Sequence, residues 1–487
     1  MDLLLPLPIV LPIISGLVMG FCPALKEKKI QRIFLISSLS LTMALVLIIA
    51  FQWNLRLNLF SITLELNILL QSDRLARFFT VLTAAMFLLV GIYSPRYMEH
   101  EGNESRFYMF FFLAQAMLLG VGYAGNLITL YIFFEMMSLL SAPLVLHSMS
   151  KTAIAAAFKF VYYSILGATL VLVGFFCIYA YGGSLEFTPG GVLDDMFLEG
   201  HEGLMLTGTM LAILGFSAKA GMFPLHAWLP TAHPVAPAPA SALLSGIITK
   251  AGVLAVIRFV FYLVGADFVR GTWVQTVWLS LALVSVLLGA VLAFKEPVLK
   301  RRLAYSTISQ VSYVMFGLAT LSMGSFVGAM LHLTLHSLVK DALFLTAGII
   351  IIQTGKTDVA DLRGIGKTLP LSIFCFTILA LCAVGIPPTG GFISKWYLAT
   401  SSLAANLTVF SWLGPALLLL SALLAAGYLF PISINGFFPG RDFQGEGREA
   451  GPSMLIPLVV LSAAAVLLGT IPGPLISFFS SIVMGLM

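Results

Sequence analysis

Charged side chains are scarce in this sequence. Asp, Glu, Lys and Arg together supply 10% of its 487 residues, against about 25% in an ordinary soluble domain. The deficit runs the whole length, while 59% of the residues are hydrophobic and mean hydropathy is +1.02. That excludes a soluble domain carried on an anchor and leaves a single body embedded in lipid. The net charge of +5 is spread over short connections between apolar runs, so no nucleic-acid partner is expected. Cysteine is sparse too. Cys22, Cys177, Cys375 and Cys382 lie in or beside apolar runs and form no C-x-x-C pair. A disulfide framework, an iron–sulfur centre and a structural zinc are therefore not expected. The seven histidines are scattered, and no metal or cofactor is expected on this chain. The first apolar run starts at Leu3 with no basic stretch before it and no small-residue cleavage site after it. It reads as a retained helix rather than a removed signal.

A helix needs about 20 apolar residues to cross the hydrocarbon core. Fourteen runs meet that need: 3–22, 31–52, 76–95, 107–124, 127–147, 158–181, 205–225, 240–263, 273–294, 303–321, 325–352, 371–398, 409–434 and 454–483. The last is long enough to tilt or break. The longest connections, near 53–75, 182–204 and 435–453, leave no room for a separate soluble domain. With this count, odd-to-even connections share one side and carry sixteen basic residues, Lys28, Arg302 and Arg441 among them. The other side carries Arg56, Arg74, Arg77 and Arg270, together with an acidic stretch around Asp194 and Glu199. The positive-inside rule then puts the basic side in the cytoplasm and both termini outside, across a cell inner (plasma) membrane.

What charge remains inside the spans is informative, because each such group costs on the order of 3 kcal/mol. It comprises Lys159, Lys219, Lys250, Arg258, Lys340 and Lys395, with the acids Glu135 and Asp341. Two spans share a pattern: GFSAKAGMFPLHAWLPT holds Lys219 before Pro224 and Pro230, and AVGIPPTGGFISKWYL holds Pro387, Pro388, Gly390 and Gly391 before Lys395. Proline and glycine break a helix, and broken backbone at membrane depth is tolerated only inside protein or beside a wet cavity. Two broken helices five spans apart point to paired repeats of opposite orientation, with sites at the breaks.

Glu135 has no base within a turn, so its expected partner is Lys219 from another helix. Lysine suits a relay because burial disfavours its charged form and a nearby carboxylate favours it; arginine would stay charged. His332 and His336 are four residues apart and share a helix face. Lys219, Lys250, His336 and Lys395, with His332 alongside, are then the ingredients of a polar line through the mid-membrane. A structural alternative stands beside each. Glu135 and Lys219 could simply stitch two helices; the histidines could be packing groups. A haem on the histidine pair would need ligands from facing helices. Arg258 reads as a snorkelling anchor, Lys159 as a boundary anchor, and His226 and His233 as residues that orient their loop. Asp341 reads as a local neutraliser of Lys340, and Asp73 as the cap of the third span.

The stretches GMFPLHAWLPTAHPVAPAPASALLSGIITKAGVLAVIR, LKRRLAYSTISQVSYV, HSLVKDALFLTAG and GIPPTGGFISKWYL resemble the proton-translocating antiporter-like subunit family. That family includes the large hydrophobic subunits of respiratory complex I, the D and A subunits of Mrp cation/proton antiporters, and membrane subunits of hydrogenases and formate hydrogenlyases. The resemblance covers about residues 70–435. It implies an all-α polytopic membrane protein of about fourteen transmembrane helices, with two inverted five-helix repeats and broken helices seven and twelve. The corresponding division is 1–106, an N-terminal three-helix segment; 107–263 and 264–434, the two repeats; and 435–487, a final loop and helix. It further implies a functional glutamate at Glu135 and lysines at Lys219, Lys250 and Lys395, with His332 and His336 on helix eleven. The expected partners are other hydrophobic subunits of one membrane complex, the lipid bilayer, and H+ with Na+ as the alternative ion. Because the chain stops soon after the fourteenth span, no long lateral helix is expected. Asp341 falls where the resemblance implies a small residue. The competing readings are a Na+/H+ antiporter subunit, a membrane oxidoreductase holding its own cofactor, and a scaffold that moves nothing.

Overall fold

In lipid a helix is the natural form for these runs, since it satisfies its own backbone groups. The computed structural model describes residues 2–52, 54–63, 66–193, 195–440 and 448–487. Arg441 and Asp194, both used in the charge asymmetry above, lie outside them. Twelve described helices are long and apolar enough to cross a membrane, and the chain is an all-α polytopic membrane protein.

Two expected spans, 303–321 and 371–398, fall outside those twelve, and two of the twelve end early or continue past a break. Leu299–Ala319 is a 21-residue helix that turns Ser306, Thr307, Ser309, Gln310 and Ser312 inward, which makes it the most polar of the long helices. The 371–398 run is two helices, Pro370–Val384 and Gly390–Ala404, parted at Pro387 and Pro388. The last run is Pro452–Thr470 followed by Gly473–Val483. The 205–225 run ends early, as Glu202–Ala220. Gly221 closes that helix at φ +80°, and a short Leu229–Val235 helix follows. Glycine reaches this left-handed conformation without a Cβ penalty.

One element departs from the all-helical expectation. The connection near 53–75 holds an antiparallel hairpin of Leu55–Ser61 and Asn67–Ser72. Its Leu55, Leu57 and Leu59 alternate with polar residues, the period-two signal of a strand. The hairpin helps gather one end of the molecule. Leu70 bridges to Ala124 and Asn126 to Glu186, Arg56 pairs with Glu186 at 2.7 Å, and Thr188 N–H donates to the Tyr262 carbonyl. At the opposite end Val298 bridges to Asp358, Gly364 N–H donates to Asn435 O, and Arg106 and His147 join two further connections.

Asn126 is the hub of the first end. Its Oδ1 accepts from Thr129 N–H at 2.9 Å, capping Leu127–Val145, and its Nδ2 donates to Asn67 O and Oδ1, each at 2.8 Å. Asn126→Ala should therefore cost about 1–2 kcal/mol, the upper range for a lost cap. Thermal unfolding in detergent measures this, and Asn126→Asp, which keeps the cap, should recover part of it.

The helices are not equally wet or lipid-facing. Ala238–Val264 is 100% buried over its apolar window and Met323–Thr354 is 89% buried, whereas Lys28–Phe51 is 33% buried. Lys250, His332, His336, Lys340 and Asp341 are carried by these two well-shielded helices.

Candidate functional site

Lys219 sits in the last turn of Glu202–Ala220 and is 3% exposed. Its Nζ donates to Ser164 Oγ at 2.9 Å and lies 4.1 Å from the centroid of the Phe160 ring. The break after it is braced: Trp228 Nε1 donates to Ala218 O at 2.8 Å, and Phe223 N–H donates to Ser285 Oγ at 2.8 Å. Glu135 is the acid that acts on Lys219. No ion pair within 4.0 Å joins the two, and Glu135 Oε1 is buried without a hydrogen-bond partner. The expected pair is thus an electrostatic neighbourhood and not a contact: the ammonium takes a neutral hydroxyl.

Lys250 is 1% exposed. It follows a widened π-turn, Leu244–Ile248, the kind of irregularity frequent at functional sites. Its Nζ donates to the Ser245 carbonyl, while Ser245 Oγ and Thr307 Oγ1 are 2.7 Å apart. Asp341 lies against Gly246, one turn before Lys250 on the same span. This corrects the expectation that Asp341 neutralises Lys340. Successive residues point about 100° apart around a helix, so the neighbours face different helices. Lys340 Nζ donates to Leu303 O at 3.0 Å and to Ser306 Oγ.

Met323–Thr354 also carries the two imidazoles on one face, with ring centroids 6.2 Å apart. His332 stacks on Tyr313 at 5.1 Å. Its Nε2 lies 3.1 Å from Gln310 Oε1 and its Nδ1 2.9 Å from Ser394 Oγ. Both nitrogens of buried His336 lack partners. Gln310, His332, His336, Lys340, Cys382 and Ala383 surround a cavity of about 10 Å³, close to the room one water needs. Across it stands the second break. Lys395, half-buried, donates to the carbonyls of Ala383 at 2.6 Å and Val384 at 2.7 Å, the open end of Pro370–Val384. A cation there offsets unsatisfied carbonyls.

Arg258 is not a snorkelling anchor. It is 1% exposed and bidentate to Asp73, at 2.5 and 2.8 Å, with Tyr262 and Phe187 over its guanidinium. Asp73 does cap Arg74–Glu101, accepting from Ala76 N–H at 2.8 Å, so one carboxylate serves both. Lys159 is half-buried near the start of its helix. His233 is buried, stacks on Phe344 at 4.5 Å, and has no hydrogen-bond partner at either nitrogen. Sequence reasoning missed Ser164, Gln310 and Ser394, the neutral groups that hold the charged ones. It also missed Lys300, which is buried and donates to Ala236 O at 2.8 Å.

Among the described residues no group of histidine, cysteine and acids is arranged to hold a metal ion. The arrangement can take up, hold and release protons on nitrogen and oxygen, at points running from one broken helix to the other.

The family model described as NADH:quinone oxidoreductase/Mrp antiporter, TM matches residues 124–425, which contain every one of these groups except Asp73. The chain is similar to the NADH-quinone oxidoreductase subunit N of Desulforudis audaxviator, with 33% identity over 421 residues, covering 83% of this chain and 82% of that one. It is 28% identical to a Na(+)/H(+) antiporter subunit of Bacillus subtilis over 95% of this chain and 93% of that one. In fold it is similar to a chain of the Mrp complex from Dietzia sp., with a TM-score of 0.86 at 21% identity, covering 100% of this chain and 97% of that one. The matched residues contain both broken helices and the buried lysines between them, and on that ground the chain belongs to the NADH:quinone oxidoreductase/Mrp antiporter family, as one of its antiporter-like membrane subunits.

Proposed function

We propose that this chain carries protons across the membrane within a multi-subunit complex, along Lys219, Lys250, His332 and His336, and Lys395, with Glu135 setting the charge on the first lysine. The observation that carries the reading is that these buried ammonium groups are held by hydroxyl and carbonyl oxygens. Such a lysine can lose its proton without breaking an ion pair. The two helical breaks supply the entry and exit, the small cavity beside His336 supplies room for a bridging water, and 107–263 and 264–434 are the two repeats. The basic loops face the cytoplasm of a plasma membrane and both termini face outside. Protons enter near the first break and leave near Lys395. A neighbouring subunit that draws Glu135 away weakens the hold on the Lys219 proton and sends it onward. The opposing force is about 2.3 kcal/mol per charge per 100 mV, within reach of such a rearrangement.

The second reading is Na+/H+ exchange, which the similarity to a Na(+)/H(+) antiporter subunit favours. Sodium prefers carboxylate and carbonyl oxygens, and the path is dominated by nitrogen. One experiment separates the readings: proton movement by the intact complex in proteoliposomes, followed with a pH-sensitive dye, for wild type and Lys219→Ala with and without sodium. Loss of about a hundredfold or more, the scale of a missing proton-transfer group, with assembly preserved, supports the path. A strict sodium requirement in the wild type favours exchange. Unchanged movement in Lys219→Ala overturns both.

A further inference from the structure

Asp341 is an anomaly. It is 0% exposed, in the middle of a helix shielded from lipid, and neither carboxylate oxygen has a hydrogen-bond partner. Buried polar groups are almost always bonded, so such an exception calls for an explanation. Its neighbour in sequence does not supply one, since Lys340 is turned to Leu303 and Ser306. Gly246, against which Asp341 Oδ1 sits, is one turn before Lys250, so the acid meets the face from which that lysine emerges.

The backbone opposite is shaped for this carboxylate. A Cβ on Gly246 would stand 1.6 Å from Asp341 Oδ1 and 2.4 Å from its Cγ. Any residue but glycine there displaces the acid. Gly246 lies inside the π-turn Leu244–Ile248, and Ser245 of the same turn supplies the carbonyl that holds Lys250. One irregular turn therefore receives the carboxylate and the ammonium together. The other titratable groups around them include His332, His336 and Lys340 on the acid's own helix, and buried His233 with Lys300 beyond it.

We infer that Asp341 is the counter-ion of Lys250, a positioning residue that sets how firmly the central lysine holds its proton, and that Gly246 is the residue that admits it. The inference rests on the proton reading above. It gives the first two lysines of the path an acid each, Glu135 for Lys219 and Asp341 for Lys250, while Lys395 is held by carbonyls alone. An acid near the ammonium but not paired with it favours the charged form and leaves the proton free to move on.

The test uses the intact complex in proteoliposomes with the dye readout. Asp341→Asn keeps the shape and removes the charge. It should slow proton movement about tenfold, the change that one unit of lysine proton affinity produces. Asp341→Glu should restore most of it. Gly246→Ala keeps both charges but displaces the carboxylate, and should reproduce most of the loss. If Asp341→Asn does not assemble, the double variant Lys250→Met with Asp341→Asn, which leaves no orphaned charge, should assemble. Wild-type rates in assembled Asp341→Asn, or a double variant that fails to assemble as the single one does, overturn the inference. Loss of movement in Lys219→Ala alongside a normal Asp341→Asn would remove Asp341 and leave the path.

Discussion

Asp73→Ala should destabilise the folded chain by about 3–5 kcal/mol, the range for removing one partner of a buried ion pair. Arg258 is almost wholly enclosed, and both bonds from its guanidinium ends go to this carboxylate. Arginine does not lose its proton in a protein, so without Asp73 a full charge stays buried among Tyr262 and Phe187. The same substitution uncaps Arg74–Glu101 by removing the acceptor for Ala76 N–H, about 1 kcal/mol more. Asp73→Asn separates the two effects. It keeps a capping oxygen and loses the charge, so it should recover the cap and little else. Denaturation of the purified protein in detergent measures the order: wild type, then Asp73→Asn, then Asp73→Ala. An Asp73→Ala protein as stable as wild type would mean that lipid or water already reaches Arg258.

The second large effect is expected at Gly391. A Cβ there would lie 1.8 Å from the Cys382 carbonyl oxygen and 2.9 Å from its carbonyl carbon. These are backbone atoms and cannot swing aside, so the two halves of the broken helix must separate. Overpacking of this kind costs about 1–3 kcal/mol. The functional consequence should exceed the loss of stability, because Lys395 reaches across this break to the carbonyls of Ala383 and Val384, and Ser394 bridges Gly391 O and His332. Gly391→Ala is expected to assemble in reduced yield and to lose most proton movement per assembled complex. Gly451 offers the comparison, since a Cβ added there meets nothing within 4 Å. Gly451→Ala should be silent in both measurements.

Much of this was legible in the residues. The apolar runs gave the helices, and the Pro and Gly groups at 224–230 and 387–391 located both breaks, because proline and glycine act on the backbone wherever they stand. Buried charge was visible as charge inside an apolar run. Partners were not. Asp341 follows Lys340 in sequence but lies against Gly246 of another helix, and Arg258 finds Asp73 at 185 residues' distance. Which helices meet is a matter of packing, and local patterns carry little of it. Ser164, Gln310 and Ser394 gave no signal for the opposite reason: a neutral polar residue in a membrane helix is common, and only its contacts distinguish it. The hairpin strands carry their signal in the alternating leucines of 55–59, a period-two pattern too short to stand out between long apolar runs.

If the buried lysines work by releasing protons, and are not fixed charges holding helices together, arginine cannot replace them. Lys219→Arg tests this most directly, because arginine keeps a positive charge near Ser164 and Phe160 and cannot give up its proton. The measurement is dye-monitored proton movement by the assembled complex in proteoliposomes. The account predicts that Lys219→Arg assembles and is as inactive as Lys219→Ala. Proton movement restored by arginine would contradict it and leave Lys219 as a structural charge.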